Sequence, residues 1–193
     1  MRELVFLLEE ESAKAMLESL LPRMLNSEIS ARLLAFEGKQ DLEKQMTRKM
    51  RGYINPHARF IVIRDQDAAP DCRVVKRALL ARCNEASKQS VSIVRIACRE
   101  LETFYLADLA AIEAGLGVNG LAKQQKTAKF RNPDELQNPS KELIALTKTQ
   151  YQKVSGSRLI GTHLDLHNER SGSFKNLIAG IKRMEQELLA LTI

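Results

Sequence analysis

Two short apolar runs, Leu4-Val5-Phe6-Leu7-Leu8 and Phe60-Ile61-Val62-Ile63, place the strongest constraint on the fold. Runs of this kind read as buried strands of a parallel sheet. The first is followed by Glu9, and the second, after Arg64, by Asp65-Gln66-Asp67. An acid at the carboxyl end of such a strand lies on the edge where open α/β sheets bind ligands. Two such strands side by side bring three carboxylates to one point. Three carboxylates cannot all stay ionised without a counter-charge, and a hard divalent cation such as Mg²⁺ is the usual one. Glu9, Asp65 and Asp67 are therefore the candidate catalytic and metal-binding residues.

The rest of the chain alternates strand and helix. Ser12 is placed to cap a helix carrying Met16, Leu17, Leu20 and Leu21 at helical spacing. Ile29 to Phe36 reads as a second strand, 41–50 as a polar helix, and Cys72 to Ser87 as a helix facing inward through Val75, Leu79 and Leu80. Ser90 to Ala97 reads as a fourth strand, and Arg99 to Glu113 as one helix ended by Gly115 and Gly117. Segments 118–140 and 150–173 are poorer in periodic apolar positions and read as long loops with short helices. Ser171 or Ser173 caps a final helix, whose Phe174, Leu177, Ile178, Ile181, Met184 and Leu188 share one face and are expected to pack on the sheet. This alternation predicts a three-layer α/β sandwich around a mostly parallel sheet.

Charge and composition narrow the setting. A length of 193 residues suits a single domain with a sizeable core. The net charge of +6 permits a polyanionic partner without demanding one. No apolar run approaches a bilayer's thickness, and the first strand is unlike a signal peptide, so a cytoplasmic location and no membrane partner are expected. Cys72, Cys83 and Cys98 form no C-x-x-C pair and are expected as free thiols. No P-loop motif is present, so any ATP hydrolysis would come from a partner.

On a strand end, alternation would carry Asp65 and Asp67 to the same side, within reach of one ion. D-x-D alone equally describes two loop acids that cap the Cys72 helix or pair with Arg64 or Arg73, and it also occurs in dehalogenase-like phosphatases. Glu9 shifts that balance. Leu7-Leu8-Glu9, with Ser12 and Lys14 opening the helix, and Ile61-Val62-Ile63-Arg64-Asp65-Gln66-Asp67 together resemble the Toprim domain. Toprim domains occur in topoisomerases, bacterial primases, overcoming-lysogenization-defect (OLD-type) nucleases and small RNA-maturing nucleases. The resemblance implies Mg²⁺ or Mn²⁺ held by the glutamate and two aspartates for phosphoryl transfer on DNA or RNA. The chain departs from those families in carrying Glu10 where Gly is common.

A longer resemblance rests on Glu37-Gly38-Lys39-Gln40-Asp41-Leu42, on Arg95 to Glu102 with Tyr105 to Asp108, on Lys129-Phe130-Arg131-Asn132-Pro133-Asp134 and on Tyr151 to Gly156. These segments are similar to an uncharacterised bacterial Toprim-related family, often encoded beside an AAA- or ABC-type ATPase and suspected in phage defence or mobile elements. The implied architecture is a single Toprim-like domain over 1–193, with a four- or five-stranded core over about 1–110 and a helical extension over about 111–193.

Glu100 and Glu102 follow the fourth strand. Either could serve a second metal position, with Glu100 slightly favoured, or charge the first turn of the next helix. Asp108 is expected on a helix surface. Lys39, Lys129, Arg131 and Lys153 are the candidate nucleic-acid contacts, the alternative being solvated surface. His163 and His167 stand four apart, which on a helix would permit zinc, but the pattern lacks the glutamate of H-E-x-x-H. Two functions from different classes follow: a metal-dependent nuclease acting with an ATPase partner, or a non-catalytic regulatory subunit of that ATPase.

Overall fold

A computed structural model describes residues 1–192. Four strands, β1 (Arg2–Leu8), β2 (Ile29–Ala35), β3 (Ala58–Asp65) and β4 (Ser92–Ala97), form one fully parallel sheet in the order β2-β1-β3-β4. The period of two along β1 sorts its side chains between the sheet's faces. Leu4, Phe6 and Leu8 join one core with Ile61 and Ile63, while Val5 and Leu7 join a second with Phe60 and Val62.

The helices divide between those cores. Helix α1 (Glu11–Leu20) covers the first, whereas α2 (Lys39–Arg51) and α3 (Cys72–Glu85) cover the second. The connection from β1 runs outward to β2, then returns past β1 to β3 on the opposite face. The chain thus changes direction at β1, and the crevice between the carboxyl ends of β1 and β3 is the switch point of the sheet.

The segment expected as one helix over 99–113 is two: α4 (Glu102–Leu106) and α5 (Leu109–Leu116). Asp108 divides them. Its Oδ1 accepts the Ala111 N–H at 3.2 Å and its Oδ2 accepts the Asp165 N–H at 2.9 Å. Asp108 is therefore a buried cap rather than helix surface. Gly117, at φ 67°, ends α5 in the left-handed conformation that glycine adopts without steric cost. Helix α1 begins two residues earlier than expected, with Glu10 rather than Ser12 at its N-cap and no side-chain cap.

Beyond Gly117 the chain is more ordered than its composition suggests. It forms α6 (Ala128–Arg131), α7 (Pro139–Leu146), α8 (Lys153–Gly161) and α9 (Gly172–Leu189). Helix α8 lies against α1 and α5. Two glycines permit that approach: a Cβ on Gly115 would come within 2.9 Å of the Ile160 backbone, and one on Gly161 within 2.8 Å of the Met16 carbonyl. Helix α9, capped by the Ser171 hydroxyl at 3.0 Å from the Phe174 N–H, packs on β4, β3 and β1. His163 and His167 are exposed in the turn after α8, not on a helix face. The three cysteines are free thiols. Among the described residues, no helix is long and apolar enough to cross a membrane.

Because backbone atoms rather than flexible side chains oppose a Cβ at residue 161, Gly161→Ala is expected to destabilise the fold by about 1–3 kcal/mol through overpacking. That corresponds to a drop of roughly 2–12 °C in Tm for a chain of this size, measurable by thermal unfolding. A Tm equal to wild type would show that α1 and α8 separate freely.

Candidate functional site: an acidic rim at the sheet switch point

Glu9 joins three elements at the end of β1. Its backbone N–H donates to the Ile63 carbonyl at 3.3 Å, and its carbonyl accepts the Gly38 N–H at 2.9 Å. Its carboxylate Oε2 accepts the Asp65 N–H at 3.0 Å. Gly38, at φ 92°, has the left-handed backbone that turns the chain into α2 beneath this contact. Glu9 and the D-x-D segment therefore meet at one rim, as their strand-end positions require.

Alternation does not carry both aspartates to the same partners, because β3 ends at Asp65. The chain then turns: the Gln66 N–H donates to the Ala97 carbonyl at 2.9 Å, and the Asp67 N–H to the Arg99 carbonyl at 2.8 Å. Asp67 (φ 54°) and Arg99 (φ 64°) are both left-handed. The rim consequently has two halves, with Glu9 between them.

In one half, half-buried Asp65 faces Glu9 and Glu102. Burial, then the Glu9 and Glu102 charges, hold its pKa well above the usual carboxylate range, although the Leu101 N–H favours the anion. Burial also raises the pKa of Glu102, which is only 1% exposed. The Tyr151 hydroxyl donates to Glu102 Oε1 at 3.0 Å. Gly156 leaves room for that tyrosine, since a Cβ there would stand 2.5 Å from its ring. Lys153 follows closely and pairs with Glu10. Burial opposes the Lys153 ammonium, but Glu10, Glu102 and Asp65 keep its pKa raised. Tyr105 is fully buried beside this group and near Ser157, and its hydroxyl has no hydrogen-bond partner among the described residues.

In the other half, Asp67 Oδ2 receives Lys39 Nζ at 2.9 Å and lies 3.9 Å from Arg64 Nη2. Arg64 also meets Glu43 of α2 at 3.1 Å and Glu9 at 3.9 Å. Burial raises the pKa of Glu9; the Asp65 N–H opposes that shift, and the Asp67 charge adds to it. A narrow crevice between Glu9, Ser12, Arg64, Asp65 and Leu101 opens on the rim.

Glu3, at the opposite end of β1, is a useful contrast. Burial opposes its ionisation too, but hydrogen bonds from Tyr53, Arg32 and Asn55 prevail and lower its pKa. One strand thus carries a fully compensated acid at its amino end and an under-compensated one at its carboxyl end. Under-compensated acids clustered in a crevice mark a functional site.

The remaining candidates divide between the rim and other places. Lys39 and Lys153 stand within it. Glu100 does not join Asp65: its Oε2 accepts the Ser140 N–H at 2.7 Å at the start of α7. Lys129 pairs with Glu142 and sits 5.5 Å from the Phe130 ring centroid. Arg131 is exposed, with no ion pair among the described residues. Arg64, offered by the sequence only as an alternative partner of the two aspartates, lies 3.9 Å from Asp67, whereas sequence reasoning passed over Tyr151 as a rim residue. Strand alternation turns Arg64 toward α2 when Ile63 and Asp65 face α1.

Comparison with known proteins bears on the fold and the family. No curated protein matches the chain. The structure is similar to the C-terminal region of the Burkholderia pseudomallei OLD protein, with a TM-score of 0.54 and 13% identity over 96% of this chain and 98% of that one. A likeness at that identity shows a shared fold, and the fold is the α/β architecture described above. The model of a domain of unknown function, DUF4276, matches residues 8–182, from the last residue of β1 into α9. The chain belongs to the DUF4276 family.

Proposed function

We propose that this protein is a metal-dependent phosphoryl-transfer enzyme of the nuclease type, acting on nucleic acid through the rim of Glu9, Asp65 and Asp67. The observation that carries the reading is the crowding of Glu9, Asp65 and Glu102 at the switch point, each with a raised pKa. Such a group lacks positive charge, and oxygen donors of this kind suit Mg²⁺ or Mn²⁺. The fold shared with the OLD protein's C-terminal region adds support, since OLD-type nucleases are among the groups the acid layout resembles.

The donor chemistry fits a cation, although among the described residues no three acids stand as a ready ligand set. Glu9 Oε2 is turned onto the Asp65 N–H and Asp67 Oδ2 onto Lys39. In this reading Asp65 is the shared ligand, and Glu9 and Asp67 exchange those partners for the metal. Glu102, held by Tyr151, adds its charge to the crowding that a cation at Asp65 would relieve. Lys39 and Arg64, released from Asp67, meet phosphate oxygens. Lys153 does the same from the Glu10 side. When bound, the cation polarises a phosphodiester and acidifies a water. Glu9 serves as ligand or general base. An AAA- or ABC-type ATPase partner and a role in phage defence belong to the same reading, on the resemblance alone.

One observation favours a second reading. Asp67 already has Lys39 and Arg64 as counter-charges, so that acid needs no metal, in keeping with a non-catalytic subunit of an ATPase. Co-purification with an ATPase and no heat of Mn²⁺ binding would select it.

Two predictions separate these readings. The first concerns the metal-free protein. A carboxyl group with a raised folded pKa binds more protons folded than unfolded, so its contribution to stability falls as pH rises above the ordinary carboxylate range. Asp65→Asn is therefore expected to raise Tm at pH 7 in chelator, with the gain shrinking toward acid pH; a lower Tm than wild type would contradict the charge crowding. Mn²⁺ should raise the Tm of wild type and leave that of Asp65→Asn unchanged.

The second prediction concerns activity. With Mg²⁺ or Mn²⁺ the wild type should cleave DNA or RNA, while Asp65→Asn and Glu9→Gln lose on the order of a hundred-fold or more. Gln at residue 9 can still accept the Asp65 N–H, so the fold should persist. Cleavage undiminished in Asp65→Asn would reject the assignment.

A further inference from the structure

A second cavity, of about 450 Å³, lies between the start of α3, the outer edge of β4 and the start of α9. Its lining includes the cations Arg73, Lys76 and Arg95 and a single acid, Asp134. That acid is already occupied. Asp134 Oδ2 accepts the Ser173 N–H at 3.0 Å, and Oδ1 accepts the Ser171 and Ser173 hydroxyls at 2.6 and 3.2 Å. The start of α3 is likewise satisfied, by Asp71 at 2.7 Å from the Arg73 N–H. Both helix starts are capped from within the chain, so the cavity's character comes from its side-chain cations.

None of the three cations pairs with a carboxylate among the described residues. Arg95 is the most telling of them. Its guanidinium is half-buried against α9 and bonds only to carbonyls, those of Asn176 at 2.7 Å and Val94 at 3.0 Å. Gly180 gives it room, since a Cβ there would stand 2.7 Å from Arg95 Nε. A charge held partly out of water is favoured by a counter-ion beside it. The guanidinium is thus open to an anion from outside the chain.

The cavity adjoins the acidic rim. Cys98, in its lining, directly follows Ala97, whose carbonyl holds Gln66, and precedes Arg99, whose carbonyl holds Asp67. Cys72, also in the lining, opens α3 just after the D-x-D loop. A strand crossing the rim would run on into this groove.

We propose that the Arg73–Lys76–Arg95 cavity binds backbone phosphates of the nucleic-acid strand presented to the rim, a phosphate-tracking subsite that rests on the nuclease reading above. Its occupant is recognised mainly by charge, because three cations stand in the lining and its one acid is already occupied. The cavity sets how the strand lies and leaves the bond-breaking step to the rim.

Binding without cleavage tests this. Fluorescence anisotropy of a labelled single-stranded oligonucleotide, in chelator so that no cleavage occurs, would compare wild type with Arg73→Ala/Lys76→Ala. A second pair, Lys123→Ala/Lys126→Ala, removes equal charge from exposed positions elsewhere. The cavity pair should weaken binding several-fold more than the control pair and reduce the salt slope by about 1.4, at about 0.7 per lost single-strand phosphate contact. Equal loss in both pairs, no loss in either, or no oligonucleotide binding by wild type would overturn the proposal. Calorimetry with inorganic pyrophosphate distinguishes the other source: pyrophosphate binding lost in the cavity pair, with oligonucleotide affinity unchanged, would assign a small phosphorylated molecule and overturn the backbone assignment. The two readings fail separately. Affinity lost as expected, in a protein that cleaves nothing with Mg²⁺ or Mn²⁺, would keep this subsite and remove the nuclease.

Discussion

The contact between the Glu9 carboxylate and the Asp65 N–H organises this molecule's rim. A parallel sheet ends in a row of backbone groups that the next turn must satisfy or leave to solvent. Here one residue serves three of them, through its own N–H, its carbonyl and its side chain. That arrangement holds the ends of β1 and β3 and the turn into α2 in fixed relation. It also commits a carboxylate to a partly desolvated place beside two other acids. Stability of the fold and chemistry of the site therefore meet in the same side chain.

The two aspartates of the D-x-D segment have divergent surroundings. Asp65 is pressed among acids and favours its proton. Asp67 has two cations beside it. Both conditions arise from the switch point, because elements from opposite faces of the sheet reach the same few ångströms there. Helix α2 supplies Lys39 and Glu43, whereas α4 and α8 supply Glu102 and Lys153. A sheet wound on one face alone could not surround one aspartate with acids and its neighbour with bases.

Much of this was legible in the chain. The apolar runs at residues 4–8 and 60–63, and the acids that follow them, fix the strands and the rim with no tertiary information. The helical spacing from Phe174 to Leu188 likewise identifies a helix that packs on the sheet. What escaped depends on side chains that act at a distance. Asp108 divides a helix by capping it and also holds a turn 57 residues away, which spacing cannot reveal. Helix α8 has few apolar positions, and its place is set by glycines at 115 and 161 that let backbones touch. Glu102, not Glu100, reaches Asp65 because Glu100 is claimed by the start of α7, and nothing local to either residue shows that difference.

Asp67 and Arg99 are hydrogen-bonded to each other and have φ angles of 54° and 64°. A side chain at such an angle costs of order 1 kcal/mol or more, which surrounding structure must offset. Glycine at either position would ease that tension, yet it would remove a carboxylate in one case and a guanidinium in the other. The most accessible route to a hardier variant therefore runs through two residues that supply charge to the rim.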